Sequence, residues 1–334
     1  MSNPSAVLYA PGDLRIEDRP MPSPAPGEVL VRVQAVGICG SDVHYYEHGR
    51  IGPYIVEDPM VVGHESAGSI VAVGENVDPA RIGELVAIEP GVPCRQCEQC
   101  RIGQYNLCPN VRFFATPPVD GSICHFVTID ADFAHTAPAG VTAEEAAMAE
   151  PISVGVWAAT RAEIHPTDRV LVTGAGPIGI YAAQVARAFG ATSVTVTDVN
   201  DVRLEKVRQL GLDARRADVV DNSQFTVLLE CSGAPAALSG GMKCLLPRGR
   251  VVLVGMGVDE VPIEVPLVQG RELSIMGIFR YSHTYPLALS LIATGAVDAK
   301  AVITHRFDLG HTEDALTLVR RDPGSLKAVV VPAL

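Results

Sequence analysis

The chain has 334 residues, of which 48% are hydrophobic and 19% charged, with a formal net charge of −12. That length exceeds one typical hydrophobic core, so two domains are expected. The acidic balance argues against nucleic acid or an anionic membrane surface as partner, since both require a basic footprint. No apolar stretch approaches the ~18 residues needed to cross a bilayer, and Met1-Ser2-Asn3-Pro4 has no signal-peptide pattern, so a cytoplasmic location with reduced thiols is expected.

The first 150 or so residues read as short strands broken by Pro and Gly. Four prolines between Pro20 and Pro26 make a stiff loop that cannot be helical. Strands are predicted at Val29–Val36, Ser66–Val73, Leu85–Ile88 and Cys124–Ile129, a texture that suits a compact, barrel-like β domain. The first strand runs into Cys39-Gly40-Ser41-Asp42-Val43-His44-Tyr45, where a thiol, a hydroxyl, a carboxylate, an imidazole and a phenol crowd together. Gly63-His64-Glu65 follows another apolar run. Cys and His suit Zn²⁺, although one Cys and one distant His are more often core residues when taken alone.

Cys94, Cys97, Cys100 and Cys108 lie on one short loop. Four thiolates so spaced fit a closed, tetrahedral, structural Zn²⁺ site better than disulfides, whose geometry close neighbours rarely meet. The isolated Cys124, Cys231 and Cys244 read as small core residues.

An Ala-rich helix is expected over Ala143–Thr160, kinked or interrupted by Pro151. Strand and helix then alternate: strands at Val170–Thr173, Ser193–Thr197, Val227–Glu230 and Val251–Val254, helices at Pro177–Phe189 and Val202–Leu210. Such alternation implies a doubly wound parallel sheet. Gly174-Ala175-Gly176-Pro177-Ile178-Gly179 joins the first of these strands to its helix, and the next strand ends at Asp198. The glycines allow a tight turn and close approach of backbone amides to a pyrophosphate. A carboxylate at 198 accepts ribose hydroxyls and repels a 2′-phosphate, which points to NAD. A helix at Pro286–Thr294 and a strand at Ala328–Val331 close the chain.

A nucleotide fold, a four-cysteine loop and a separate Cys/His pair together point to zinc-assisted hydride transfer. The whole chain resembles the medium-chain, zinc-dependent alcohol dehydrogenases. The segments running from Gly37 to Gly52 and from Ala149 to Val156, with Phe279-Arg280-Tyr281, look like the sorbitol/xylitol (polyol) branch. The resemblance implies a GroES-like catalytic domain (residues 1–151 and 282–334) and a Rossmann NAD-binding domain (152–281). It implies oxidation of a polyol to the ketose, with threonine dehydrogenase or a simple secondary alcohol dehydrogenase as alternatives. Cys39 and His64 would hold the catalytic zinc, with Glu65 as a direct or alternating ligand and Glu150 acting directly or through the zinc water. Asp42 would orient His64. Ser41 and His44 would relay the alcohol proton, and Tyr45, Glu150, Arg280 and Tyr281 would contact substrate. Gly174, Gly176, Pro177, Ile178, Gly179, Asp198, Arg203, Val254, Gly255, Met256, Ile278, Phe279 and Arg280 would line NAD. A homotetramer is the family expectation. Each role has a plainer alternative: Tyr45 as a packed aromatic, Arg280 as a surface charge, His44 and His48 as solvated rings. One departure stands out: between Asp213 and Val227 the family has a longer strand–helix passage, so a helix on one sheet face is expected to be absent or reduced to a turn.

Overall fold

The computed structural model describes residues 2–219, 224–258 and 260–332. They form two compact units, Met1–Glu150 with Ile303–Leu334, and Pro151–Val302. The chain therefore returns to its first unit at Ile303 and not at 282. The helix Tyr285–Ala293 stays with the second unit: Tyr285 packs against Tyr281 with the rings tilted (5.7 Å between ring centres), and the loop after the helix is tied back by Tyr181 Oη, which donates to Ala299 O at 2.9 Å.

The first unit is built around a seven-stranded mixed sheet. Its central strand, Glu28–Gly37, pairs antiparallel with Glu65–Val73, with Phe126–Asp130 and with the last strand, Lys327–Val331. Val29, Val31 and Val33 are fully buried and Arg32 is exposed, but Leu30 is buried too, so the strand is covered on both faces over much of its length. A hairpin that the sequence reading left unassigned, Ser2–Ala10 with Asp13–Pro20, adds a second small sheet with Met60–Val61. Pro4 hid it, since proline counts against a strand interior.

A helix, Gly40–His48, was also not anticipated, because its sequence has little apolar periodicity. It is specified at its ends instead. Asp42 reaches back to accept the Cys39 amide at 3.0 Å, and Gly49 closes the helix in the left-handed region (φ 69°), donating to Tyr45 O. The Ala-rich segment divides into Ala143–Ala147 and Ala149–Arg161. The break falls at Met148, ahead of Pro151, so the proline sits in the first turn of the second helix, where no backbone donor is required of it.

The second unit holds a six-stranded parallel sheet in the order Asp213–Arg216, Ser193–Asp198, Arg169–Thr173, Phe225–Glu230, Leu245–Leu253, Ser274–Gly277. This is the doubly wound arrangement expected, with the switch point beside the fingerprint strand Arg169–Thr173. The expected loss of a helix is visible as the single 3₁₀ turn Ala217–Val219; residues 220–223 of that passage lie outside the described residues. The sheet is adapted to it. Leu171 packs into an apolar cluster with Leu228, Leu238 and Met242, but its register neighbours toward the edge are Thr195 and Asp213. Those two bond to each other, Thr195 Oγ1 to Asp213 Oδ2 at 2.8 Å, so polar groups are satisfied where an apolar helix-packing face would otherwise be needed.

Candidate metal centres and cofactor cradle

Sulfur atoms of Cys94, Cys97, Cys100 and Cys108 lie within 4.8 Å of one another, and all eight cysteines are free thiols. The Cys97–Cys100 and Cys94–Cys100 separations are 3.4 and 4.0 Å. A Zn–S bond of ~2.3 Å gives a tetrahedral edge of about 3.8 Å, so the four sulfurs fit Zn²⁺. The Gln96 and Cys97 amides pull the Cys94 thiol down to about 6, while burial and the adjoining Cys97 thiol push Cys100 up to about 12. The loop is pinned independently of a metal: Tyr105 donates to the buried Glu89 (2.6 Å), which His135 also contacts at 2.8 Å. Arg95 adds bonds to Asp130 and Asp132.

The second cluster is Cys39, His64 and Glu65, whose donor atoms also fall within 4.8 Å of one another. Cys39 is the cap between the central strand and the helix Gly40–His48, and His64 and Glu65 enter the neighbouring strand. Asp42, fully buried, holds the two segments together: its Oδ2 accepts the Cys39 amide, its Oδ1 accepts the Gly63 amide at 3.0 Å and faces His64 Nδ1 at 3.5 Å. Burial opposes ionisation of Asp42, yet His64 and the two amides keep its carboxyl below the usual range. The chemistry of this donor set, a thiol, an imidazole and a carboxylate on rigid strand ends, fits zinc. Glu150 is buried in the same unit but falls outside the 4.8 Å set.

Glu65 is already engaged. Both its oxygens lie 2.7 Å from Lys327 Nζ, which also donates to Ile38 O at 2.9 Å. The three ammonium protons thus meet three acceptors, with the side chains only 3% and 0% exposed. Burial works against the Lys327 charge, but Glu65, then Cys39, raise its pKa above the ordinary lysine value. Gly37 makes the pair possible: a Cβ there would lie 2.1 Å from Glu65 Oε2. Gly37 is the register partner of both Glu65 and Val329, and Lys327 lies two residues before Val329, on the same face. Lys327 carries only a faint signal in the sequence, a lone lysine heading the apolar run Ala328–Val331.

Of the proposed relay, His44 is exposed and its Nδ1 lies 2.8 Å from Arg50 O. Because a carbonyl only accepts, Nδ1 carries the proton and Nε2 of the neutral ring is the acceptor. Ser41 is half-buried one residue into the helix. Tyr45 is 3% exposed and belongs to the first unit's apolar cluster, so most of its ring is packing.

In the second unit, Gly174 (φ 92°) and Gly179 are needed for internal closeness, since a Cβ at 179 would meet Gly174 O at 1.8 Å. Gly176 is different: a Cβ there meets nothing within 4 Å, so its backbone faces open space at the start of the helix Pro177–Ala188, with Ile178 half-buried behind it. That opening is where a pyrophosphate can approach amides. Asp198 is fixed by the Ala175 amide (2.6 Å) and the Asn200 amide (2.8 Å), which ties the fingerprint turn to the end of the second strand. Arg203 is half-buried on the helix Asp201–Gln209. A buried carboxylate not singled out from sequence, Glu230, accepts the Ser232 amide (2.9 Å) and the Gly233 amide (3.1 Å). Gly233 in turn packs backbone to backbone against the Val254–Gly257 segment, a Cβ at Gly255 meeting Gly233 N at 2.3 Å. Met256 and Phe279 are exposed at 67% and 49%. Arg280 (φ 53°) lies 4.8 Å from the Phe279 ring, next to Ile278, and Tyr281 is buried against Tyr285.

Residues 25–139 match the alcohol dehydrogenase GroES-like domain, and residues 177–294 match the zinc-binding dehydrogenase domain. The chain is 43% identical to a sorbitol dehydrogenase of Mus musculus, covering 98% of this chain and 95% of that one. It is 42% identical to a sorbitol dehydrogenase of Bacillus subtilis (strain 168), covering 93% and 92%. A solved structure from E. coli CFT073, described as a short chain alcohol dehydrogenase complexed with cofactor NADH, superposes with a TM-score of 0.92 at 31% identity, over 99% of each chain. Donor sets for zinc, a cradle for NAD and these likenesses agree: the chain belongs to the zinc-dependent medium-chain dehydrogenases, in their polyol dehydrogenase branch.

Proposed function

We propose that the chain oxidises a secondary hydroxyl of a sugar alcohol to the ketose and passes hydride to NAD. Cys39 and His64 hold the catalytic zinc, with Glu65 and Glu150 as the nearby carboxylates; Cys94, Cys97, Cys100 and Cys108 hold the structural one. The convergence of Cys39, His64 and Glu65 within 4.8 Å supports this reading more than any other observation. When bound, zinc lets a hydroxyl ionise near neutral pH and NAD accepts hydride. The rest belongs to the chain's own groups. Asp42 fixes the strand ends that carry Cys39 and His64. Ser41 and His44 carry the hydroxyl proton outward, with His44 Nε2 as the acceptor and its exposed edge as the exit to solvent. Arg280, Tyr45, Tyr281 and Glu150 offer donors and acceptors to the additional hydroxyls of a polyol. Asp198 takes the adenosine ribose hydroxyls, and Gly174, Gly176, Pro177, Ile178, Gly179, Arg203, Val254, Gly255, Met256, Ile278 and Phe279 shape the rest of the cradle. The protein works in the cytoplasm as a homotetramer, a state that light scattering on purified protein measures directly. Among the described residues no helix is long and apolar enough to cross a membrane.

The deciding experiment is NADH production from sorbitol, xylitol, ribitol, arabinitol and galactitol, with L-threonine and a short monohydric alcohol alongside. Turnover of at least one polyol well above the other two is expected. Turnover confined to threonine or the simple alcohol would overturn the polyol reading while leaving the dehydrogenase assignment intact.

A further inference from the structure

The edge strand Asp213–Arg216 ends in a cation that the family motifs do not mark. In the parallel register, Arg216 stands directly beside Asp198, one strand spacing away. Its Nη1 reaches over the turn that follows Asp198: it donates to Val199 O at 3.3 Å and to both oxygens of Asp201, at 3.1 and 3.0 Å. Its Nε lies 3.4 Å from Asp218 Oδ1. Asp198, meanwhile, is anchored by two backbone amides and cannot swing away. The ribose end of the cradle therefore contains a positive group as well as the expected negative one, and two further carboxylates neutralise it.

We propose that Arg216 is a second cofactor-specificity residue, whose guanidinium is withheld from a 2′-phosphate by Asp201 and Asp218, so that rejection of NADP is set by Asp198 and Asp201 together. Removing Asp198 alone relieves one repulsion but leaves the cation engaged. Side-chain exposures of 45% for Arg216, 71% for Asp201 and 72% for Asp218 make these exposed, weakly held pairs, so neutralising Asp201, both of whose oxygens accept from Nη1, loosens the guanidinium. A 2′-phosphate carries more charge than a carboxylate and can be met by two parallel bonds, whereas Asp201 is met by Nη1 alone and Asp218 only by Nε at 3.4 Å. The short passage after Arg216 is part of the device: the strand ends at Arg216 and turns at once through Ala217–Val219, which brings Asp218 back onto the guanidinium.

The inference depends on NAD binding at the fingerprint and not on the polyol reading, so it is tested by binding without substrate. Isothermal titration of NAD and of NADP into the zinc-loaded full chain, at low salt, gives the affinity ratio for each variant. Asp198→Ser should raise the NADP:NAD affinity ratio. Adding Asp201→Asn should raise it further, by about tenfold or more, the size of one charge-assisted hydrogen bond gained. Adding Arg216→Ala to that pair should cancel the second gain. An unmoved ratio on adding Asp201→Asn, or a gain that survives Arg216→Ala, would overturn the proposal. Should the Asp201→Asn protein fail to fold, Asp218→Asn in the Asp198→Ser background still decides: it frees the Nε side of the guanidinium and should raise the NADP:NAD ratio, and an unmoved ratio refutes the role.

Discussion

Replacing Lys327 by Met should cost the first unit more than any substitution at an exposed charge. The methionine keeps the volume and removes the ammonium, leaving Glu65 (0% exposed) with two oxygens and no counter-charge, and Ile38 O without its donor. Breaking a buried pair by removing one member costs about 3–5 kcal/mol, because the remaining charge is stranded in a poor dielectric. For a unit of this size that corresponds to roughly 6–20 °C in the thermal midpoint. Calorimetry on metal-stripped Lys327→Met protein measures it. Glu65→Gln added to Lys327→Met should restore most of the loss, since an amide strands no charge. With zinc loaded the loss should shrink, because a cation beside Cys39 and His64 offers Glu65 another counter-charge. A midpoint lowered by less than about 2 °C in the stripped protein, or a double variant no better than Lys327→Met alone, would show that the pair is not coupled as its geometry indicates.

Elemental analysis should find about two zinc ions per chain, one lost in Cys39→Ser with the fold retained and the other lost in Cys100→Ser with the first unit destabilised; a single metal dependent on both substitutions would refute two separate sites. Arg280→Ala should lower kcat/KM for polyols by about a hundredfold while barely changing the poor rate with a short monohydric alcohol; equal losses would reassign Arg280 to cofactor or structure. Glu230→Gln should weaken NAD binding about tenfold, because the glutamine oxygen can still take the bonds to Oε1 while its NH2 stands where Oε2 accepts the Gly233 amide at 3.2 Å; an unchanged dissociation constant by titration would remove Glu230 from the cradle's support.

Local chemistry decided what could be read in advance. The cysteine loop and the glycine fingerprint concentrate their meaning within a few residues, and the structure gathers each set as its spacing suggested. Cys39 and His64, far apart in sequence, were legible only as two strand ends, and pairing of Glu28–Gly37 with Glu65–Val73 brings them together. The shortened passage after Asp213 was visible as missing length. Lys327 was not visible, because its meaning depends on three strands lying in a particular register and on the absence of a side chain at Gly37. Glu230 reads as an ordinary strand end until the turn after it folds back. The helix Gly40–His48 escaped because caps, not periodicity, specify it.

Lys327 also changes what the first unit presents to a metal. Cys39, His64 and Glu65 taken alone are a donor set with two negative charges once the thiol ionises. With Lys327 2.7 Å from both Glu65 oxygens, the carboxylate charge is offset before any cation arrives. A less anionic set withdraws less of the positive charge of a bound Zn²⁺, and a zinc ion that keeps its charge is the stronger Lewis acid. Glu65 at the same time must give up a well-formed ion pair to become a ligand, which favours Cys39 and His64 as the permanent donors. The cavity-filling contact between Gly37 and Glu65 reinforces this, since the carboxylate lies where a Cβ would be and has little room to swing. Gly37→Ala therefore tests the same point without touching a charge: it should displace Glu65 from Lys327 and lower both stability and zinc affinity, and an alanine accepted without either effect would mean the carboxylate moves more freely than this packing allows.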